Sequence, residues 1–178
     1  MKKIIFLLIV VACSFSALGQ QTAINAAVTI ELPTNAKKVN GKDALTHVRK
    51  IFKDTLALNS VKFDPQNKYF YTVDNILIEL IGTDTTYNLR KDKLLSIKKA
   101  LDEYARGLKT HSSFIKRGNN NAAVITKDIF NNINYYSFFC VNDANTRVFS
   151  GVLKFRNEDQ AEATTIFNNL LASIKFRD

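Results

Sequence analysis

Residues 152–176, VLKFRNEDQAEATTIFNNLLASIKF, decide the fold. The stretch opens on the tail of a strand in which Phe149, Gly151, Leu153 and Phe155 share one face, Gly151 leaving room for a bulky neighbour above it. Asn157 then stands where a helix N-cap is expected, with Glu158 and Asp159 in the first turn and Gln160 at the capping-box position. Ala163, Ile166, Phe167, Leu170, Leu171 and Ile174 recur at helical spacing. The closing SIKF reads as a return to extended chain. This is an amphipathic helix delivered by a strand and laid back across a sheet to close a core.

Working upstream, the sheet is legible from alternation and from asparagine. The segments SFIKRG, AAVITKDIF, INYYSFFCV and TRVFSGVLKF read as strands, separated by GNNN, NN and NDAN. Asparagine side chains imitate backbone turns and tolerate left-handed conformations, so these clusters predict short hairpin connections and an antiparallel meander. Near the start, AVTIELP puts Val28, Ile30 and Leu32 on one face before Pro33 stops it. NILIELIG is apolar on both faces, which predicts a well-covered strand. Two further segments carry helical period. Residues 42–56 align Leu45, Val48, Phe52 and Leu56, and residues 90–108 align Leu94, Ile97, Leu101, Tyr104, Ala105 and Leu108. The fold class expected is α+β, a curved and mostly antiparallel sheet flanked by helices.

The other end of the sequence carries an address. MKKIIFLLIVVACSFSALGQ places Lys2 and Lys3 before an apolar run and then small residues, the order of a bacterial secretory signal. Cleavage after Gly19 would make residues 1–19 the leader and residues 20–178 a single domain beginning at Gln20. VVAC also resembles a lipoprotein box, in which Cys13 would be lipidated and anchor the protein, although the apolar residues after Cys13 continue as a signal does. The apolar run is too short for a transmembrane helix of roughly 20 residues.

Removing Lys2 and Lys3 from the 25 basic residues leaves 23 against 16 acids, a net charge of +7 for the mature chain. Outside the cytoplasm such a surface suits an acidic protein or an anionic surface rather than nucleic acid. Only Cys140 remains after cleavage, so no internal disulfide is expected, and its apolar context predicts an inert thiol.

The search for chemistry finds no phosphate loop, nucleophile elbow, zinc motif or calcium loop. No catalytic residue, metal site or cofactor is expected. His47 reads as a partly buried structural histidine, and His111, in KTHSSF, as a helix C-terminal cap. Asp102 and Glu103 diverge by about 100° around a helix and so do not form an acid–base pair. Asp84 in GTDTTYN suits a turn. One constellation stands out: Lys91, Lys98, Lys99, Arg106 and Lys109 fall on one arc beside the apolar stripe of the 90–108 helix. It is either a solvated face or a surface for an anionic partner. A second candidate is an apolar pocket beneath the aromatic meander, formed by Tyr135, Tyr136, Phe138, Phe139 and Phe149.

The order of elements, with the LP after the first strand and the terminal ASIKF, resembles the Mog1/PsbP/DcrB-like superfamily across most of residues 25–177. The resemblance implies a sheet flanked by helices with a C-terminal helix packed on it. It also implies a non-enzymatic habit, since that superfamily spans a nuclear-transport GTPase cofactor, a photosystem extrinsic subunit, envelope proteins and secretion chaperones. No functional residue of the family maps onto this chain by motif. The expected function is a secreted or periplasmic binding protein, acting as an envelope adaptor, a chaperone or an immunity-type partner of another protein. The alternative is a small-ligand or lipid-binding module that uses the aromatic pocket.

Overall fold

The computed structural model describes residues 19–52, 67–108 and 110–177. The rest of the expected leader with Cys13, the expected helical residue Leu56, and Lys109 lie outside the described residues.

Strands β1 (Gln20–Ala23), β2 (Val28–Leu32) and β3 (Lys37–Val39) lead into helix α1 (Gly41–Phe52). Strands β4 (Lys68–Val73) and β5 (Ile76–Gly82) form a hairpin before helix α2 (Lys93–Tyr104). The meander β6 (Ser112–Arg117), β7 (Asn121–Phe130), β8 (Ile133–Asn142) and β9 (Val148–Phe155) follows, then α3 (Gln160–Ser173) and β10 (Lys175–Phe176). A seven-stranded sheet runs β3-β4-β5-β9-β8-β7-β6, and a separate three-stranded sheet runs β1-β2-β10. Every described pairing is antiparallel. The expected α+β arrangement holds, with the first strand assigned to its own small sheet.

Asparagine does what its chemistry predicts. Asn131 and Asn132 both take positive φ (51° and 61°), the conformation of a two-residue hairpin turn whose twist matches the flanking strands. Asn145 also has positive φ, and Asn142 Oδ1 accepts from the N–H groups of Thr146 and Arg147 at 2.8 and 2.9 Å.

Register divides the large sheet into two faces. Tyr71, Ile78, Leu80, Leu153, Phe155, Phe138 and Ile125 point inward to the main core, where Val28, Ile30 and Leu32 of β2 and the whole stripe of α3 meet them. Phe167 is the plug: its ring centroid lies 5.5 Å from that of Tyr136 and 6.2 Å from that of Phe138. A Cβ on Gly151 would stand 2.7 Å from both Leu80 Cδ2 and Phe138 Cε1, so glycine here lets two large side chains converge. Ser173 ties α3 to the small sheet by accepting from the Glu31 N–H at 2.8 Å.

Details of the helices differ from expectation. Asn157–Asp159 form a single 3-10 turn, α3 starts at Gln160, and Asn157 does not cap it; its Oδ1 accepts instead from Asn134 Nδ2 at 2.8 Å. In α1 the buried positions are Ala44, Val48 and Phe52, so Ala44 fills the place expected of Leu45. The regular part of α2 begins at Lys93 and ends at Tyr104, leaving Lys91 in the preceding turn and Arg106 in the following one.

Candidate functional site

The outer face of the large sheet is covered unevenly. At one end α1 packs Ala44, Val48 and Phe52 onto Phe70, Leu77 and Ile133. At the other, the first half of α2 is fixed by Leu94, packed with Ala122, Val124 and Val141. The second half is not sealed down. Leu101 is 36% exposed, Leu108 53% and Tyr104 89%, and Ile81 on β5 is also open. A groove of about 420 Å³ lies between this helix and the sheet. Its wall is Ile97, Leu101, Tyr104, Ala105 and Leu108, and its floor includes Val124, Ser137, Phe139, Ser150 and Val152. Small side chains on β8 and β9 hollow the floor, and the stripe of α2 supplies an apolar wall.

Charged groups border the groove at both ends. Toward β4, the buried Glu79 accepts from Lys68 Nζ at 3.0 Å and from Lys154 Nζ at 3.2 Å. Buried charges survive when paired and hydrogen-bonded in this way. Toward β6 lies a second cluster. His111 places Nδ1 2.6 Å from Asp128 Oδ1 and Nε2 3.2 Å from Asp102 Oδ1. Asp102 also accepts from Lys98 Nζ at 2.6 Å and from the Ser113 hydroxyl. The hydrogen bond to Asp128 pushes the His111 imidazole up from its ordinary value against the cost of burial, and Asp102 adds to the rise. Lys98, then Ser113 and His111, hold the Asp102 carboxyl well below the usual carboxylate range. An imidazolium donating from both nitrogens has no lone pair left for a general base, and the Ser113 hydroxyl points to a carboxylate rather than to the ring. The cluster therefore lacks the nucleophile–base contact that covalent catalysis needs. Among the described residues no group of three or more His, Cys, Asp or Glu side chains is placed to hold a metal ion.

The sequence candidates are dispersed. Of the aromatic set, Tyr136, Phe138 and Phe149 face the main core, where the α3 stripe fills the space. Tyr135 faces outward beside the α1 cluster and Phe139 beside the α2 cluster. The five do not share one cavity, because alternate residues of β8 point to opposite faces. Of the basic set, Lys91 and Lys99 are exposed, Arg106 lies 3.7 Å from Glu103, and Lys98 is engaged by Asp102. His111 is no helix cap: two carboxylates draw its ring into a bridge. His47 is half-buried, as expected, and burial with Lys50 nearby lowers its pKa. Burial pushes the Cys140 thiol up to about 12, which makes it inert. The Asp84 segment, expected as a turn, is irregular chain after β5, where the Asp84 carbonyl oxygen accepts from Arg147 Nη1 at 2.6 Å.

Two groups escaped sequence reasoning. Glu79 sits in the middle of ILIELIG, and an acid inside such an apolar strand was a signal for a buried partner. Asp128 shares a strand face with Val124 and Thr126, but nothing in the sequence connects it to a histidine across a hairpin.

No family model matches the chain, and no curated protein matches it in sequence. The structure is similar to the solution structure of cyanobacterial PsbP (CyanoP) from Synechocystis sp. PCC 6803, with a TM-score of 0.50. The fold is PsbP-like. The likeness covers 90% of this chain and 94% of that one at 8% identity, so it speaks to architecture and not to a shared site. Among the described residues no helix is long and apolar enough to cross a membrane.

Proposed function

We propose that this PsbP-like chain is a non-catalytic envelope binding protein that holds an apolar segment of a partner protein in the groove between α2 and the outer sheet face. The observation that carries this reading is the exposure of Leu101 and Tyr104 on a helix that has a sheet directly beneath it, continued by the exposed Leu108 in the chain just after it. Contiguous apolar surface left open on a folded domain marks an interaction site. Lys99 on α2 and Lys91 in the turn before it, both exposed, would favour an acidic partner and speed its approach. Photo-crosslinking from position 104 in envelope extract tests the reading. A protein adduct should form there, disappear in the Leu108→Ser variant and be absent from a probe at the exposed Lys42 on α1. Equal labelling from both positions would overturn it.

A second reading uses the same groove for a small apolar ligand, favoured by a volume within the roughly 300–1,000 Å³ common for such sites. It replaces the aromatic pocket expected beneath the meander, of which only Phe138 and Phe139 line this groove. Co-purification of a lipid-soluble molecule in native mass spectrometry, lost on Leu108→Ser, would support it over the protein partner.

Export is part of the proposal. Strand β1 begins at Gln20, paired with Leu32, so cleavage after Gly19 would leave the small sheet whole. Mass spectrometry of the mature protein should find Gln20 first, whereas a diacylglycerol on Cys13 would show an anchored form.

A further inference from the structure

We propose that His111 is a proton-operated clamp: its imidazolium helps hold the C-terminal half of α2 against the sheet, and loss of the proton loosens that wall of the groove, leaving Ser113 as the remaining tie to Asp102. The asymmetry of α2 makes this possible. Its first half is fixed by apolar burial at Leu94, and Ile97 packs beside it. Its second half buries no large side chain: Leu101 and Tyr104 stay open, and the buried Ala105 lies just past its end. What ties this half down is polar. Asp102, projecting from α2, is held by Ser113 on β6 and by the His111 ring, and the same ring is anchored to Asp128 on β7. The His111 side chain is only 12% exposed, so its bonds are sheltered from solvent competition.

The charges around the ring fix the direction. From α2 come Lys98 and Asp102, from β7 comes Asp128, and Tyr135 on β8 stands opposite Asp128 in register. Glu103 and Arg106 pair with each other in solvent. With the ring cationic, it donates to both carboxylates. With the ring neutral, one nitrogen loses its proton and one carboxylate faces a lone pair. Asp128, at 2.6 Å against 3.2 Å, keeps the remaining N–H, so the bond to Asp102 is the one that breaks. The histidine pKa is raised in the folded chain, so the stabilisation is complete below the ordinary value of 6.5 and fades as pH rises through the higher folded value. Asp102 stays ionised far into acid, so the clamp does not fail on that side in the same range. A wall that yields as the ring deprotonates would admit or release an occupant of the groove. That consequence rests on the groove being the binding surface; the clamp does not.

Amide hydrogen exchange at residues 101–105, corrected for intrinsic rates and followed from about pH 5 to 9 beside an NMR titration of the His111 ring, tests it. Protection should fall by about fivefold across the transition of the ring, the loss expected for one hydrogen bond. His111→Gln should show no step, and Asp128→Asn should lower the ring's midpoint and move the step with it. Protection that stays flat while the ring titrates, or a step that persists unchanged in His111→Gln, would overturn the clamp. Binding of the neutral probe N-phenyl-1-naphthylamine should strengthen through the same midpoint and be lost in Leu108→Ser. If the probe binds at no pH while the exchange step remains, the groove reading fails and the clamp stands.

Discussion

Helices α2 and α3 both carry apolar stripes in the sequence and meet opposite fates in the structure. Each stripe of α3 from Ala163 to Ile174 is buried against the inner sheet face and β2. In α2 only Leu94 is buried to that degree, with Ala105 buried just past the helix end. The difference lies in what each helix lands on. The inner face presents large convergent side chains such as Phe138, Phe149 and Phe155, whereas the face under α2 presents Ser137, Ser150 and Thr126. An amphipathic stripe states that a helix wants a partner surface; whether that surface belongs to the same chain depends on the opposite side of the contact.

Substitutions should separate the two helices in order of size. Phe167→Ala removes the plug between Tyr136 and Phe138 and should cost about 3–5 kcal/mol in chemical denaturation, the usual range for a buried phenylalanine. An effect as small as that of Lys175→Ala, at an exposed position, would mean that α3 does not close the core. Next comes Gly151→Ala, which forces a methyl into 2.7 Å contacts with Leu80 and Phe138 and should cost about 1–3 kcal/mol through overpacking.

Tyr104→Ser, on the other helix, should change stability by no more than about 0.5 kcal/mol, because the ring makes almost no intramolecular burial. The same variant should nevertheless weaken capture of the groove's occupant, read by crosslink yield from a neighbouring position. A large loss of stability at Tyr104 would place it in the core and erase the contrast. Smallest of all, Lys91→Glu with Lys99→Glu should leave the melting curve within about 0.5 kcal/mol per site. Binding of an acidic partner should then drop and lose its salt dependence, since screening acts on exposed charges. Unchanged binding at low salt would mark these lysines as a solvated face.

Much of the scaffold was readable because its signals are local. The Asn131–Asn132 turn, the alternation along β2 and the stripe of α3 each depend on a few neighbouring residues, and physical rules act at that range. The site was not readable in the same way. Asp102, His111 and Asp128 lie on α2, before β6 and on β7, and only the folding of β6 onto β7 brings them together. The aromatic set is split between the faces for a related reason: Tyr135 and Tyr136 are adjacent in sequence and therefore on opposite faces of β8. The missing cap on α3 has a third cause, a competing acceptor role for Asn157 toward Asn134, supplied by another strand.

The pairing of β2 sets a timetable for the folding chain. One of its edges is taken by β1, a few residues upstream, and the other by β10, where Lys175 meets Thr29 and Phe176 meets Val28. During synthesis from the N-terminus, Val28, Ile30 and Leu32 therefore wait until nearly the whole sequence has emerged before α3 and β10 can cover them. Contacts so distant along the chain form late and slowly. A nascent chain that cannot finish its core early exposes that apolar strand for longer, the state in which chaperones have most to bind.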